Sequence, residues 1–379
     1  MADATPAGQS RPWVHTGFAQ QLIFGDHVVE QLGSFLRDAG IRRALLVSTA
    51  GRLASPDGQR LIGAAGDRIA STFADVSSHV PAPAVQAALR QVRRDAVDGV
   101  VSFGGGSCAD LGKAVCFFHE QEQGIPGARY TDRPALPHVA VPTTYSGAEL
   151  TPFFGMTDPQ TRRKQGAGGP TCAPIAVFYD PTLTLSTPAN VSAETGMNAL
   201  AHCVEILWSR TATPEAVAIA EAGIRIIVSA LPEVVARPDN LLARGRMLEA
   251  AALAGRCLQN GSMGVHHGLC QLLGGRTGVA HGLANAVILP HAIRYNAPEV
   301  PEAIVLLRQA LGLAPDADAA LAVERLVDGL GLPARLLDCG VTPDDLDSVA
   351  RQSQGNGNIA ANPRSVSEAD ARQILENAY

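Results

Sequence analysis

The segment GMNALAHCVE, residues 196–205, contains two polar side chains that could take part in catalysis. Asn198 and His202 are four positions apart, so both side chains lie on one face if the segment is helical. An imidazole can transfer a proton near neutral pH, and it can also bind a metal ion. An amide oxygen is a poorer ligand for a divalent cation than a carboxylate. The pair therefore indicates either a site related to metal enzymes or a helix with two polar residues and no chemistry.

A glycine-rich turn is the second candidate site. In GVVSFGGGSCADLGKA, residues 99–114, an apolar run leads into glycines and a serine and then directly into a helical pattern. Glycines allow a ligand to approach the backbone closely, and the N–H groups at a helix start attract anions. A pyrophosphate fits such a turn, although many tight strand-to-helix turns are also rich in glycine. The residues expected to contact a dinucleotide here are Gly104, Gly105, Gly106, Ser107 and Asp110.

Another strand end, in VAVPTTYSGAE, residues 139–149, carries three hydroxyl groups. Ligands of α/β proteins collect beyond the carboxyl ends of the strands. Thr143, Thr144 and Ser146 are therefore expected to donate hydrogen bonds to the same dinucleotide. The alternative is a Ser/Thr-rich turn that caps a helix.

The elements that must position these residues change in character near residue 187. Before it, short apolar runs alternate with amphipathic segments in the order β-α-β-α-β, which predicts a parallel sheet covered by helices. After it, apolar residues recur with helical period in segments that are separated by Pro, Asp-Asn and Gly, residues that typically end helices. This pattern predicts an all-helical domain. We expect a dinucleotide-binding α/β domain over residues 1–186 and a helical domain over residues 187–379, with a loop at Gln121 to Pro137.

Composition excludes several classes of protein. The chain has 379 residues, 46% of them hydrophobic, without an uninterrupted apolar run long enough to span a membrane. A net charge of −6 argues against a nucleic-acid partner. The seven cysteines are scattered and never spaced as CxxC, which favours reduced thiols. The polar start of the chain lacks the pattern of a secretory signal, so we expect a cytoplasmic protein.

Seven motifs together resemble the iron-containing alcohol dehydrogenase superfamily, and within it maleylacetate reductases. They are VSFGGGSCADLGKA, VAVPTTYSGAELTPFFGMTD, FYDPTLTL, GMNALAHCVE, HHGLCQLLGG, AHGLANAVILPHAIRYN and NPRSVSEADARQIL. Their order and spacing cover the chain from about Gln20 to its end. The resemblance implies a Rossmann-like dinucleotide-binding domain and a helical domain, in the manner of dehydroquinate synthase. It also implies a cleft between them for nicotinamide and substrate, and a homodimer.

The resemblance also sharpens the interpretation of the first segment. Metal-dependent members hold their ion with one Asp and three His, and the matching positions here are Asn198, His202, His267 and His281. The carboxylate is missing, although three imidazoles can still hold zinc. Maleylacetate reductases are similar in carrying Asn in this helix and in doing without a metal. We therefore expect a metal-free site whose imidazoles supply a proton and stabilise an enolate. For His291 we expect a packing role.

The cofactor is expected to be NADH or NADPH. NAD-selective relatives carry an Asp where this chain has Thr49, so the phosphate of NADP is not repelled, and Arg52 is placed to attract it. Lys164 matches a lysine that the superfamily keeps near the cofactor. Its neighbours Arg162 and Arg163 are either phosphate or substrate contacts or part of a solvated loop.

The substrate is expected to be a small molecule bound by His266, Gln271 and Tyr145 as well as by the catalytic residues. Maleylacetate reductases show HHKLCHVLGG and PHAETH where this chain has HHGLCQLLGG and AHGLAN. Gly268, Gln271, Leu283 and Asn285 thus replace a lysine, a histidine, a glutamate and a histidine. Glutamine can donate a hydrogen bond but supplies neither charge nor proton. We therefore predict a less anionic or larger substrate than maleylacetate, or weak activity on maleylacetate.

Three functions follow from these observations. The first is metal-independent reduction of an unsaturated oxo-acid of the maleylacetate type by NAD(P)H. The second is a divergent biosynthetic enzyme that acts on another carbonyl or enone, or catalyses a non-redox step. The third is a metal-dependent alcohol dehydrogenase that tolerates Asn198.

Overall fold

The computed structural model describes residues 13–77, 80–124, 134–158 and 163–379, without the side chains of residues 158 and 163–165. Its N-terminal half contains eight strands within these ranges. They are β1 (Gln21–Phe24), β2 (Ala44–Val47), β3 (Ile69–Phe73), β4 (Gly99–Gly104), β5 (His138–Pro142), β6 (Phe153–Asp158), β7 (Arg163–Gly168) and β8 (Ala176–Tyr179). The helices of this half are α1 (Leu32–Asp38), α2 (Ala50–Ala54), α3 (Pro56–Ala65), α4 (Ala82–Arg94) and α5 (Gly106–Glu122).

Six of the strands form one parallel sheet in the order β1-β8-β5-β4-β2-β3. Strands β2, β4, β5 and β8 are buried at every position, as expected for a parallel sheet covered on both faces. The strand order reverses between β2 and β4, and ligands bind at such a switch point in open α/β sheets. The glycine-rich turn follows β4 directly and therefore lies at this point.

The alternating pattern predicted for the N-terminal half is confirmed, with one addition. Strands β6 and β7 form a separate antiparallel hairpin. The sequence pattern does not predict it, because RKQGAG in β7 has no apolar alternation. Part of the expected loop at Gln121 to Pro137 is helical, since α5 continues to Glu122. Residues 125–133 of that loop lie outside the described residues.

The C-terminal half, from residue 187 onward, contains helices and no strand. These helices are α6 (Ala189–Leu207), α7 (Pro214–Ala236), α8 (Leu241–Leu258), α9 (Val265–Thr277), α10 (His281–Asn296), α11 (Pro301–Ala310), α12 (Ala319–Gly329), α13 (Pro343–Ser353), α14 (Gly357–Ala360) and α15 (Glu368–Asn377). The boundary expected at residue 187 falls between the end of β8 and the start of α6.

Helix α6 is the centre of the helical half. It packs against α7, α8 and α10, and residues 196–207 are all buried. A helix that is apolar on nearly every side belongs in a core, so each polar side chain on this stretch of α6 is held in a dry environment. The core around α6 also includes Tyr145, Leu150 and Tyr179 of the N-terminal half. In the described part of the chain, no helix combines the length and apolarity needed to cross a membrane.

Candidate active site

A cavity of about 920 Å³ lies between the two halves of the chain. Of the residues predicted to act in the site, those that line it are Gly106, Ser107, Asp110, Ser146, Asn198, His202, His267, Gln271 and His281. Helix α5 and the loop after β5 supply one wall, and helices α6, α9 and α10 supply the other. The structure thus brings the glycine-rich turn and the histidines to one space.

The glycine-rich turn needs glycine because neighbouring groups lie too close for a side chain. Gly104 has φ +139°, and a Cβ added there would lie 2.7 Å from the Sγ of Cys108. A Cβ on Gly106 would lie 2.9 Å from the Oγ of Ser146. The turn ends at the first residues of α5, where Gly105 caps the helix without a side chain. Backbone N–H groups at this helix start are therefore open to an anionic ligand.

The two threonines expected to contact the dinucleotide lie after β5 and do not line the cavity. Each has a buried Oγ1 without a hydrogen-bond partner among the described residues, and buried hydroxyls without partners are rare in folded proteins. The bare helix start offers backbone N–H groups to a phosphate. This edge of the sheet therefore fits the phosphates of a nicotinamide dinucleotide.

Asp110 lines the cavity as one member of an ion pair with Lys113. Its carboxylate is 2.7 Å from the Nζ of Lys113, which is fully buried. The same ammonium donates to the backbone oxygens of Ala148 (2.8 Å) and Phe153 (2.6 Å). The ion pair therefore ties the start of α5 to the segment that follows β5, and it neutralises the charge that Asp110 would bring to the cavity.

Arg52, expected to attract the phosphate of NADP, is hydrogen-bonded within the protein instead. Thr49 lies at the end of β2, where its side chain accepts from the N–H of Arg52 and caps α2. The Arg52 guanidinium donates to the hydroxyls of Ser186 (2.6 Å) and Thr187 (2.7 Å), so in this arrangement it links the two halves of the chain. Lys164 and Arg163 lie in β7, but their side chains, like residue Arg162, are outside the described residues.

Three imidazoles form the opposite wall of the cavity. The ring centroids of His202 and His267 are 4.5 Å apart with an angle of 19° between the planes, and the centroid of His281 is 5.9 Å from that of His267. The amide nitrogen of Asn198 donates to the backbone oxygen of Ser146 at 3.4 Å. Asn198 thereby connects α6, the helix that carries His202, to the loop after β5.

Glu205, which no sequence pattern distinguishes, organises this cluster. Its carboxylate is fully buried, and Oε2 accepts from the Nδ1 of His267 at 2.6 Å. The same carboxylate accepts from the backbone N–H groups of Gly264 (2.9 Å), His266 (3.2 Å) and His267 (3.3 Å), at the start of α9. A helix start stabilises an anion. Glu205 therefore fixes both the helix that carries His267 and the proton on its Nδ1.

These contacts determine the charges of the buried groups. Burial alone would raise the pKa of Glu205, but the hydrogen bonds from His266 and His267 outweigh it and hold the pKa well below its usual range. Burial lowers the pKa of His202 well below its ordinary value, and the neighbouring His267 lowers it further. The site therefore contains an ionised carboxylate and a neutral His202 at physiological pH.

The positions that match metal ligands in related enzymes lie around two stacked imidazoles, those of His202 and His267. Within the described ranges, the only three His, Cys, Asp or Glu donors that come within 4.8 Å of one another are Glu205, His266 and His267. His202 and His281 are not part of that group. Within it, Nδ1 of His267 already donates to Glu205.

Two residues expected to bind substrate lie in the core instead. Tyr145 is fully buried, and its hydroxyl accepts from the guanidinium of Arg244 at 3.2 Å. His266 is also fully buried and donates from Nε2 to the backbone oxygen of Asn285 at 3.0 Å. The prediction that these two side chains contact substrate is therefore corrected: each supports the wall behind the cavity. His291, expected to have a packing role, lies outside the cavity lining.

Comparisons with known proteins agree with this architecture. The family model "Iron-containing alcohol dehydrogenase" matches residues 19–181, and "Fe-containing alcohol dehydrogenase family, C-terminal" matches residues 192–379. The maleylacetate reductase of Sphingobium indicum is 35% identical over 366 residues, which are 97% of each chain. The maleylacetate reductase of Burkholderia cepacia is 34% identical over 359 residues, 95% of each chain.

Solved structures show the same fold. A maleylacetate reductase from Rhizobium has a TM-score of 0.85 at 32% identity and covers 98% of this chain and 99% of its own. A sulfoacetaldehyde reductase from Bifidobacterium kashiwanohense, in complex with NAD+, has a TM-score of 0.86 at 25% identity, with coverage of 97% and 99%. The chain therefore belongs to the iron-containing alcohol dehydrogenase family and is an NAD(P)H-dependent oxidoreductase.

Proposed function

We propose that this enzyme reduces the carbon–carbon double bond of an unsaturated oxo-acid of the maleylacetate type, to 3-oxoadipate or an analogue, with histidines in place of a metal. The observation that carries this proposal is that His267, which lines the same cavity as Gly106 and Ser107 of the glycine-rich turn, is held by the buried Glu205. The similarity to maleylacetate reductases supports the choice of substrate type.

The reaction needs three things from the site. Hydride must reach the carbon that is β to the ketone, the resulting enolate oxygen must be stabilised, and the α carbon must receive a proton. A bound nicotinamide supplies the hydride. As an imidazolium whose Nδ1–H is donated to Glu205, His267 would give its Nε2 proton to the α carbon and be left neutral, with the proton on Nδ1. Neutral His202 and the amide of Asn198 can donate hydrogen bonds to the enolate oxygen.

A metal-free site is part of the proposal. Asn198 replaces the carboxylate that would balance the charge of a cation, and Nδ1 of His267 already donates to Glu205. The hydrogen-bonded imidazoles instead supply the polarisation that a Lewis acid supplies in metal-dependent alcohol dehydrogenases.

We further propose that the enzyme accepts NADH or NADPH, bound by the glycine-rich turn, Thr143, Thr144 and Ser146, with Thr49 beside the adenosine ribose. Thr49 brings no negative charge that would repel a 2′-phosphate. Lys164 is proposed to act near the cofactor, as the family resemblance implies.

A homodimer and a cytoplasmic location complete the proposal. Strand β1 is at the edge of the sheet and carries two exposed apolar side chains, Leu22 (40% exposed) and Phe24 (46%). Exposed apolar edge strands are commonly covered by a partner. The cysteines are all unpaired in the structure, which suits a reducing compartment.

The experiment that tests the proposed function is an assay with product identification. Purified enzyme is incubated with maleylacetate and NADH, or with NADPH, and the product is identified by mass spectrometry and NMR. We expect 3-oxoadipate, with one NADH or NADPH oxidised for each double bond that is reduced. A product that keeps the double bond and carries a new hydroxyl would identify a carbonyl reductase, and no oxidation of either nicotinamide with maleylacetate would contradict the proposal.

A further inference from the structure

The cavity continues past the histidines to an end lined by amide side chains. Gln271 follows His267 by one helical turn on α9, so both side chains face the same space. Residues 356–358, at the start of α14, form the facing wall. With the nicotinamide at the glycine-rich turn, the part of the substrate remote from it would lie at this end, one helical turn past His267 on α9.

Gly268 allows the amide groups to reach this position. A Cβ added to Gly268 would lie 2.3 Å from Cγ1 of Ile359 and 3.0 Å from Oδ1 of Asn356. The buried Ile359 side chain thus occupies the space of any larger residue at position 268. Asn356 caps α14 by accepting from the N–H groups of Asn358 (2.9 Å) and Ile359 (3.2 Å). The close packing of α14 on α9 therefore fixes Asn358 beside Gln271.

The two amides that meet here keep both donors and acceptors for a ligand. Asn358 donates from Nδ2 to Oε1 of Gln271 at 3.1 Å. This bond leaves the Nε2 group of Gln271 and the second N–H of Asn358 as donors, and lone pairs on both amide oxygens as acceptors. A carboxamide or a hydroxyl group can both donate and accept, so it can use both kinds of group. A carboxylate can only accept, so the amide oxygens would face it without a hydrogen bond.

The charges of the cavity lead to the same conclusion. The described residues that line it include no lysine or arginine. Asp110 is their only carboxylate, and it is paired with Lys113 beside the glycine-rich turn. Among the described lining residues, a carboxylate moved from water to the amide end would find no lysine or arginine to compensate its lost hydration, which is unfavourable.

We infer that Gln271 and Asn358 form a specificity pair that selects a substrate whose remote end is an uncharged carboxamide or hydroxyl group. This inference rests on the proposed reductase function, because it concerns the substrate of the same cavity. It narrows that function to oxo-acids that place no carboxylate at the amide end.

The test uses two unreactive six-carbon probes, adipate and its monoamide adipamate. Each is titrated calorimetrically into the NADH-saturated enzyme. We expect adipamate to bind at least about tenfold more tightly than adipate. Adipate must place a carboxylate at the amide end, where the described lining residues offer no lysine or arginine. The Gln271→Lys variant should reverse the order, since it adds a cation at the amide end. Gln373→Lys, which adds the same charge on the exposed face of α15, is the matched control and should bind as wild type does.

A second variant keeps the inference testable if Gln271→Lys does not fold. Asn358→Asp places a negative charge opposite the ligand. It should weaken the binding of adipate by more than about tenfold, while the affinity for adipamate stays close to that of the wild type. The inference would be overturned if the wild type bound both probes equally, bound adipate more tightly than adipamate, or bound neither. Tight adipamate binding without NADH oxidation by any unsaturated oxo-acid would contradict the proposed function and support the specificity pair.

Discussion

The Nδ1 atom of His267 lies 2.6 Å from Oε2 of Glu205, and the two buried residues are 62 positions apart on different helices. The carboxylate also accepts three backbone N–H groups at the start of α9. One side chain on the central helix α6 therefore sets the position, the tautomer and the electrostatic environment of a cavity-lining imidazole.

Replacing Glu205 with Gln should slow the reaction more than it weakens cofactor binding. The neutral amide removes the charge that supports a proton on His267, and we expect kcat to fall roughly 100-fold, the usual scale for the loss of acid–base assistance. Steady-state kinetics with maleylacetate and a fluorescence titration with NADH measure the two effects. Glu194→Gln, on the same helix but outside the cavity lining, is the control. Wild-type kcat in Glu205→Gln would show that the contact has no part in turnover.

The histidines on the cavity wall should be needed for turnover but not for cofactor binding. Single replacements of His202, His267 and His281 with Asn should reduce kcat strongly while the affinity for NADH stays close to that of the wild type. His291→Asn tests a histidine of α10 that does not line the cavity and should retain activity. Loss of NADH binding in all three variants would instead indicate a structural role.

The glycine-rich turn should be needed for cofactor binding. Gly104→Ala puts a Cβ 2.7 Å from the sulfur of Cys108 at a backbone angle, φ +139°, that L residues rarely adopt. We expect NADH affinity to fall at least about tenfold as the turn shifts. Gly63→Ala, at a helical position where no atom lies within 4 Å of an added Cβ, should bind NADH normally. Unchanged NADH affinity in Gly104→Ala would argue against this turn as the cofactor site.

Glu149 should make stability depend on pH. Burial raises the pKa of this carboxyl from 4.5 to about 7, and the Tyr179 hydroxyl donates to it at 2.8 Å. Between these two values the folded protein keeps a proton that the unfolded chain releases, so the free energy of unfolding falls as pH rises across the window and levels off above it. The total loss is about 3 kcal/mol.

The Glu149→Gln variant removes this titration. Its Tm should therefore rise relative to that of the wild type as pH increases from about 4.5 to about 7, and the difference should stay constant above that range. Thermal unfolding over a pH series gives this comparison. Exposed Glu299→Gln is the control and should follow the wild type. Parallel curves for Glu149→Gln and wild type would mean that the carboxyl titrates alike in the folded and unfolded states.

Much of the architecture follows from local sequence patterns. Apolar runs with helical segments between them predict the parallel sheet, and the glycines after β4 predict the turn at its switch point. The four-residue spacing of Asn198 and His202 places both on the cavity side of α6, as the structure shows. The positions that correspond to metal ligands could be identified only from the family resemblance, because His267 and His281 are far from His202 in the sequence.

The remaining features depend on contacts between distant residues. Glu205 lies three positions after His202 and has the pattern of an ordinary helix residue; only the packing of α9 on α6 brings His267 to it. Tyr145 follows the two threonines at a strand end, where ligands collect, yet its ring enters the core because the buried Arg244 lies on that side. The partner of a buried polar group is set by tertiary structure and cannot be inferred from spacing.

The central claim is that an imidazole held by Glu205 replaces the metal of related enzymes. The most direct measurement is the kcat for maleylacetate reduction of enzyme purified without chelator, set against its metal content by mass spectrometry, before and after dialysis with EDTA. We predict metal far below one atom per chain and the same kcat in both samples. One metal atom per chain, with activity lost on dialysis and restored by a divalent cation, would contradict the claim.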